Sequence, residues 1–262
     1  MPDIHALAAR LDEAVRTATA IPQLTDETAI SLDEAYAVQA AGVEIREQRG
    51  DAVVGVKLGF TSQAKAEQMG VSDVIIGVIH QSMAVDDGGS TDVTALVHPR
   101  IEPEVAFLLG VDVDPSDDDS DILAATTHVA PALEIIDSRY RDFTFSLEDV
   151  VADNTSAAGF VLGPWQPFDQ ARAGLDLAAL DVVLSVDGTE AARGSSADIL
   201  GDPVLALAAV KRMAAQHGIS LPAGSVVLAG AATAAIPLGA GVEVRAELGS
   251  LGSVSVHTET AP

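Results

Sequence analysis

The first fifty residues show the apolar spacing that is typical of helices. Apolar side chains recur every three or four positions between residues 3 and 20, which predicts a helix. Ser31 and Glu34 have the spacing of a capping box, so a second helix is predicted from there to about Gly50, where a glycine can end it. We therefore expect residues 1–50 to form a helical N-terminal layer.

From residue 52 the pattern changes to short apolar runs rich in β-branched residues and separated by turns, which is typical of strands. Strands are predicted at 52–60, 74–79, 98–108, 128–137, 160–162, 180–186, 189–194, 225–228, 242–248 and 253–257, and helices at 62–69, 121–126, 145–151 and 203–216. Strands and helices do not alternate regularly, so we expect an α+β fold with a mixed, mainly antiparallel β-core. The sequence indicates a single domain over residues 1–262.

Composition narrows the functional classes. The chain has 262 residues, no cysteine, and 39 acidic against 14 basic residues, which gives a net charge of −25. The lack of cysteine excludes disulfides and thiolate metal sites. Such an acidic surface repels nucleic acids and anionic membranes, and no apolar run is long enough to span a bilayer. We expect a cytoplasmic protein; adaptation to high salt and ordinary acidity are both open explanations of the charge.

One strand carries two acids on the same face. In HPRIEPEVAF, residues 98–107, Glu102 and Glu104 are two positions apart in an apolar run, and Glu134 is embedded in a second such run. Carboxylates on a half-buried face repel each other and lose hydration, and a hard cation such as Mg²⁺ or Mn²⁺ removes both penalties. Pro103 cannot donate a ladder hydrogen bond, which predicts an edge strand or an irregular one.

The alternative for these glutamates is pairing with nearby arginines: Arg100, Arg139 and Arg141. The same three arginines could instead bind a substrate carboxylate, or they could form structural ion pairs with Asp137 or Glu134. Lys57 lies in an apolar strand, which favours a buried functional lysine over one that reaches solvent. The histidine spacing does not fit a zinc hydrolase, and no nucleophile elbow or glycine-rich phosphate loop is present.

Six stretches together resemble a known family. They are GVKLGF (55–60), MGVSDVIIG (69–77), HPRIEPEVAF (98–107), ALEIIDSRYRDFTF (132–145), VVADNTSAAGFVLG (150–163) and LGSLGSVSV (248–256). They resemble the hydratase/decarboxylase group of the fumarylacetoacetase-like superfamily, which acts in meta-cleavage degradation of aromatic compounds. The resemblance runs from about Lys57 to the C-terminus. It implies a fumarylacetoacetase-like fold with a β-roll, a homo-oligomer, and Mg²⁺ or Mn²⁺.

The resemblance also implies roles for particular residues. Glu102, Glu104 and Glu134 match the family's metal ligands, and Lys57 matches an active-site lysine. The substrate-binding residues we expect beside them are Arg139, Ser156 and Thr233.

Two activities share this scaffold in the group. One is decarboxylation of 2-oxo-3-hexenedioate, and the other is hydration of its product, 2-hydroxypenta-2,4-dienoate. Three segments favour the decarboxylase: EPE rather than EAE at 102–104, SRYRDF at 138–143 and VIIG at 74–77. The hydratases usually carry Pro-Asp where this chain has Val74 and Ile75. A third alternative is a non-catalytic subunit that stabilises a partner hydratase. Gly159 and Asp202 depart from the family pattern, which bears on substrate contacts but not on the metal.

Overall fold

The computed structural model describes residues 2–62 and 73–260. The helix predicted at 62–69 lies outside these residues except for Ser62. The helices are α1 (Ile4–Arg16), α2 (Leu24–Glu27), α3 (Leu32–Gln48), α4 (Ile122–Ala125), α5 (Leu147–Ala152), α6 (Phe168–Gly174) and α7 (Leu205–His217). Short 3-10 turns lie at Gln81–Met83, Val93–Ala95, Arg141–Phe143, Asn154–Ser156, Ser196–Asp198 and Gly249–Leu251. No helix among the described residues is long and apolar enough to cross a membrane.

The N-terminal helices form a layer on the β-core, as their spacing predicted. The Ser31 and Glu34 side chains close the capping box at the start of α3, which satisfies amide groups that would otherwise lack partners. α1 packs against α3, and α3 packs against α5. The Asp149 carboxylate in α5 accepts hydrogen bonds from the amide and hydroxyl of Thr25 at 3.1 and 2.6 Å. This partly buried contact fixes the N-terminal layer to the rest of the chain.

The strands form two sheets. Their bounds are β1 (Val53–Gly59), β2 (Ile75–His80), β3 (Ala84–Val85), β4 (Ser90–Thr91), β5 (Arg100–Leu109), β6 (Thr126–Ile136), β7 (Ala157–Leu162), β8 (Gln166–Pro167), β9 (Asp181–Val186), β10 (Thr189–Ser195), β11 (Val226–Ala231), β12 (Ile236–Pro237), β13 (Glu243–Leu248) and β14 (Gly252–Thr258). The larger sheet has the order β2-β1-β11-β5-β6-β7-β3, with β12 on β5 and β8 on β6. Most pairs are antiparallel, while β1 with β11, β3 with β7 and β4 with β14 are parallel.

The larger sheet curls into a roll. The turn Gln81–Met83 joins β2 to β3, and β3 pairs with β7 at the opposite end of the strand order. The sheet therefore returns to its starting edge and encloses an inner face. The second sheet, β10-β9-β13-β14-β4, packs on the outer face, where β13 buries Val244, Ala246 and Leu248 and exposes the residues between them. This alternation is what a sheet with one solvated face requires.

The strand that contains Pro103 is not at an edge. β5 pairs with β6 along its whole length and with β11 and β12 on its other side. The Pro103 carbonyl accepts a hydrogen bond from the Ala232 amide. The Pro103 nitrogen, which has no hydrogen to donate, faces the same side of β5, at the break between β11 and β12. The edge alternative is wrong and the irregular one is confirmed, because the interruption lies in the partner strands.

Candidate active site

The candidate site lies on the inner face of the roll, where neighbouring strands present charged side chains. β5 carries Glu102 and Glu104 at alternate positions, so both point to the same face. The ladder between β5 and β6 places Glu102 directly opposite Glu134. Lys57 comes from β1, which is separated from β5 by β11. The strand pairing thus brings together four residues that lie up to 77 positions apart in the sequence.

Beneath these charges the inner face is apolar. Ala106 and Ala132 occupy the next inward positions after Glu104 and Glu134, and both are fully buried. They belong to a compact cluster: Ile79, Met83, Ala106, Ala132, Ala157, Phe160, Val226 and Leu228. The interior of the roll is therefore filled on one side of the charged groups, which keeps water from solvating them from below.

The three glutamates have oxygen atoms that all lie within 4.8 Å of one another. All three residues are buried: Glu102 is 5% exposed, and Glu104 and Glu134 are 0% exposed. Glu104 Oε2 accepts a hydrogen bond from the amide of Gly230 at 2.8 Å. Among the described residues, Glu104 Oε1 and Glu134 Oε1 have no hydrogen-bond donor, and Glu134 Oε2 has the Lys57 ammonium group 3.0 Å away. Buried acceptors without donors are costly, and a cation is the partner that would satisfy all of them.

Burial controls the protonation of Glu104 and Glu134. It raises the pKa of Glu104 well above its usual range, and the charges of Glu134 and Glu102 raise it further. Burial also raises the pKa of Glu134, although Lys57 opposes that shift. Without a cation, these carboxyl groups therefore resist ionisation.

Lys57 is the cationic member of the site. Its Nζ lies 3.0 Å from Glu134 Oε2 and donates a hydrogen bond to the Thr155 carbonyl at 3.2 Å. Burial lowers the pKa of Lys57, but the charges of the three glutamates outweigh burial and hold that pKa above its ordinary value. Lys57 is consequently an ammonium group, suited to stabilising negative charge rather than to accepting a proton. The prediction that it is buried is confirmed.

Two glycines make room for this arrangement. A Cβ atom at Gly77 would lie 2.1 Å from Thr155 Oγ1 and 3.2 Å from Lys57 Cδ. Gly230 adopts a φ of 115° and approaches Thr61 closely, which lets its amide reach Glu104. A larger residue at Gly77 would displace Thr155 or Lys57, and one at Gly230 would displace Thr61 or the backbone amide that binds Glu104.

A left-handed turn forms one wall. Asn154, Thr155 and Ser156 all have positive φ values, between 50° and 60°, which is costly for residues other than glycine. The Asn154 side chain holds the turn by accepting from the Val78 amide and donating to the Val78 carbonyl, both at 2.8 Å. The hydroxyls of Thr155 and Ser156 are buried and have no hydrogen-bond partner among residues 2–62 and 73–260. Strain and unpaired hydroxyls at one place are typical of a ligand-binding wall.

A cavity of about 520 Å³ opens above the charges, and Lys57, Glu102, Thr155 and Ser156 line it. Its apolar lining includes Phe60, Ile75, Ile136, Phe143, Phe145 and Val150. Glu102 is the carboxylate in the described lining, and Arg100 and Lys57 are its cations. A small anionic molecule with an apolar middle fits these surroundings.

Two of the expected substrate-binding residues do not line the cavity. Arg139 is buried, and its guanidinium is held by the Asp153 carboxylate at 2.5 Å and by the Asp153 carbonyl. This structural ion pair uses neither Asp137 nor Glu134, the partners considered from sequence. Thr233 is buried and donates to the Ala234 carbonyl at 3.0 Å, and it is Ala234 and Ala235 that line the cavity. Ser156 lies on the wall, as expected.

The residues that sequence reasoning missed are Thr155 and Phe143. Both lie in turns with positive φ values, which no local pattern in the sequence marks. The departures from the family pattern lie elsewhere: Asp202 accepts a hydrogen bond from the Val204 amide before α7, and Gly159 packs near Ile135.

Known proteins share both the sequence and the fold. A 4-oxalocrotonate decarboxylase from Pseudomonas sp is 49% identical over 255 residues, covering 97% of this chain and 98% of the relative. A 2-keto-4-pentenoate hydratase from Burkholderia vietnamiensis is 37% identical over 254 residues, covering 96% and 95%. The structure of the Pseudomonas putida G7 4-oxalocrotonate decarboxylase, complexed with magnesium and adipate, superposes with a TM-score of 0.90 at 34% identity and 97% coverage of both chains.

The family assignment rests on most of the chain. The sequence profile described as fumarylacetoacetate (FAA) hydrolase C-terminal matches residues 52–258, which leaves out only the N-terminal helical layer and the last residues. The resemblance drawn from six short stretches is confirmed: this protein belongs to the FAA hydrolase family.

Proposed function

We propose that this protein decarboxylates 2-oxo-3-hexenedioate (4-oxalocrotonate) to 2-hydroxypenta-2,4-dienoate with the help of a divalent cation. The observation that carries the proposal is the cluster of three buried glutamates beside Lys57, in a chain that is 49% identical to a 4-oxalocrotonate decarboxylase. The cluster offers a place for the 2-oxo acid end of the substrate. The apolar walls of the cavity offer a place for its carbon chain.

The donor set fits a hard divalent cation. Three carboxylates supply oxygen ligands only, which suits Mg²⁺ or Mn²⁺ and leaves positions open for substrate oxygens. The decarboxylase of similar structure is complexed with magnesium. We assign Glu102, Glu104 and Glu134 as the ligands. A cation bound there would supply Lewis-acid stabilisation of negative charge on the substrate's C1 carboxylate and C2 oxygen.

The reaction moves an electron pair along the substrate. The bond between C5 and C6 breaks and releases CO₂, its electrons form the C4–C5 double bond, the C3–C4 double bond moves to C2–C3, and the C2 oxygen takes up the negative charge. The Lys57 ammonium lies beside the cluster and stabilises that oxygen as its charge develops. The Ser156 and Thr155 hydroxyls, which lack partners, are positioned to donate hydrogen bonds to the substrate. The apolar cluster below keeps water out.

Hydration of 2-hydroxypenta-2,4-dienoate is the second candidate, since hydratases share this scaffold and one is 37% identical. Hydration needs a group that activates or delivers water. Among the described residues that line the cavity, Glu102 is the carboxylate and no histidine is present. Because we assign Glu102 to the cation, the described lining favours decarboxylation. The third alternative, a silent subunit, conflicts with the intact cluster and Lys57.

We also propose that the protein acts in the cytoplasm as a homo-oligomer and delivers its reactive dienoate product to a homologous hydratase. The support is the family resemblance and the instability of the product. Light scattering of the purified chain, alone and mixed with such a hydratase, measures both associations; a monomer in both samples would contradict them.

Replacing Glu104 with glutamine tests the cation site and the reaction together. Glu104→Gln keeps the shape of the side chain but removes one ligand charge, so Mg²⁺ binding weakens and CO₂ release from 2-oxo-3-hexenedioate falls by more than ~100-fold. Glu44 is an exposed glutamate whose side chain has no hydrogen bond with a described residue, so Glu44→Gln is the matched control and keeps wild-type turnover. Full metal-dependent turnover in Glu104→Gln would remove the metal assignment. If the wild type consumes 2-hydroxypenta-2,4-dienoate but releases no CO₂ from 2-oxo-3-hexenedioate, the hydratase is favoured.

Replacing Lys57 tests its role as a charge that balances the cluster. Lys57→Met leaves three buried carboxylates without their cation, so metal-free protein at pH 8 loses about 3 kcal/mol of unfolding free energy, and saturating Mg²⁺ restores most of it. Turnover still falls by ~100-fold, because the developing oxygen charge loses a donor. Lys211→Met is the control, since Lys211 binds the carbonyls of Asp117 and Ser120 away from the cavity. Unchanged stability of metal-free Lys57→Met in urea titrations would contradict this role.

Mg²⁺ affinity depends on pH in a direction fixed by the raised pKa values of Glu104 and Glu134. In the metal-free folded protein these groups keep their protons at pH values above 4.5, where the same groups in the unfolded chain have lost theirs. The free energy of unfolding therefore falls as the pH rises from 4.5 through the raised pKa values. Mg²⁺ must displace the protons. Titration calorimetry therefore shows weaker Mg²⁺ binding at pH 6 than at pH 8, with proton release into the buffer. Affinity that is equal at both pH values, without proton release, would contradict the raised pKa values.

A further inference from the structure

Arg100 is a cation on the inner face of the roll that the reaction above does not use. It lies on β5 two positions before Glu102, so its side chain leaves the strand on the same face, roughly 6.6 Å further along. Arg100 is partly exposed and lines the same cavity as Lys57 and Glu102. The described lining of the cavity thus contains one carboxylate of the cluster, Glu102, and the more exposed guanidinium of Arg100.

Arg100 forms no ion pair with any described residue. The chain has 39 acidic and 14 basic residues, and most of its other arginines are paired with described residues: Arg10, Arg16, Arg46, Arg49, Arg139, Arg193, Arg212 and Arg245. The guanidinium of Arg100 instead lies over the ring of Phe143, 4.4 Å from its centroid. An arginine stacked in this way keeps its N–H groups available for a carboxylate.

The ring that carries Arg100 is held in place by its own contacts. Phe143 and the preceding Asp142 have φ values of 55° and 58°, a strained conformation that the surrounding packing must maintain. The His98 ring meets Phe143 edge-on at 6.4 Å, and Phe145 lies 5.5 Å away. Phe143 therefore acts as a fixed platform that sets the plane of the guanidinium.

We infer that Arg100, held on Phe143, binds the second carboxylate of a dicarboxylate 2-oxo acid and so selects dicarboxylates over monocarboxylates. The inference rests on the proposed function, which places the 2-oxo acid end at the glutamate cluster. Three bonds of extended chain advance roughly 3.5 Å, so the four bonds from C2 to C6 advance about 5 Å. The C6 carboxylate then comes level with Arg100 on the neighbouring inward position of β5.

The chemistry of the leaving group limits what this contact does. The C6 carboxylate is an anion in the bound substrate but becomes neutral CO₂, so its attraction to Arg100 weakens toward the transition state. An interaction stronger in the ground state than in the transition state improves binding without raising kcat. Arg100 is thus a specificity-determining residue, whose loss raises KM while kcat is maintained or increased.

The test compares two ligands that bind without reacting. 2-Oxoadipate carries the second carboxylate, and 2-oxohexanoate is the same chain length without it. Titration calorimetry in saturating Mg²⁺ measures the dissociation constant of each for wild type, Arg100→Gln and Arg100→Lys. Arg172→Gln is the matched control, because Arg172 also stacks on a phenylalanine, Phe168 at 5.3 Å, but lies away from the cavity.

In wild type and Arg172→Gln, 2-oxoadipate binds ~10-fold to ~100-fold more tightly than 2-oxohexanoate. In Arg100→Gln this ratio falls to near one, because 2-oxoadipate weakens while 2-oxohexanoate does not; Arg100→Lys lies between. Phe143→Leu, which retains Arg100, also lowers the ratio. An unchanged ratio in Arg100→Gln, or equal weakening of both ligands, would overturn the inference. Neither ligand is turned over, so the measured ratio of dissociation constants does not depend on the result of the decarboxylase assay.

Discussion

The mutual repulsion of three buried carboxylates is the constraint on which the rest of the site depends. Among these four described residues, Glu102, Glu104 and Glu134 contribute a formal charge of −3, Lys57 contributes +1, and the sum is −2. A low-dielectric interior disfavours such a charge, and burial raises the pKa values of Glu104 and Glu134, so these two glutamates take up protons in the metal-free protein. A divalent cation supplies the missing +2. The same charge balance explains why the lysine lies next to the glutamates and why its pKa stays high.

The backbone around the cluster is adapted to that charge arrangement. Gly77 leaves space for the Lys57 side chain, and Gly230 brings an amide to Glu104. The left-handed turn at Asn154–Ser156 supplies the Thr155 carbonyl that Lys57 binds. Each feature would be costly elsewhere, through strain or close approach, and each contacts a charged group here. The buried pair of Arg139 and Asp153 supports the start of this turn, since the Ser156 amide bonds to the Asp153 carbonyl. Burial raises the pKa of Asp153 to about 6 even with Arg139 beside it.

The sequence predicted the parts of the site that depend on strand periodicity. Glu102, Glu104 and Glu134 lie in apolar runs, and alternation alone placed the first two on one face. Lys57 followed from its apolar flanks. The capping box at Ser31 and Glu34 was predictable because it is local. The position of a strand in the fold was not predictable in this way. Pro103 suggested an edge strand, but the break between β11 and β12 allows a proline in the interior of the sheet. Arg139 was assigned to substrate because nothing local indicates Asp153 as its partner. The Phe143 platform depends on left-handed backbone, which the sequence did not mark.

The central claim is that the three glutamates bind one divalent cation that receives the 2-oxo acid. Anomalous diffraction from crystals grown with Mn²⁺ and 2-oxoadipate tests it most directly. We expect one strong anomalous peak within about 2.2 Å of oxygens from Glu102, Glu104 and Glu134 and of the ligand's C1 and C2 oxygens. A cluster without a peak, with Lys57 and protonated glutamates satisfying each other, would contradict it.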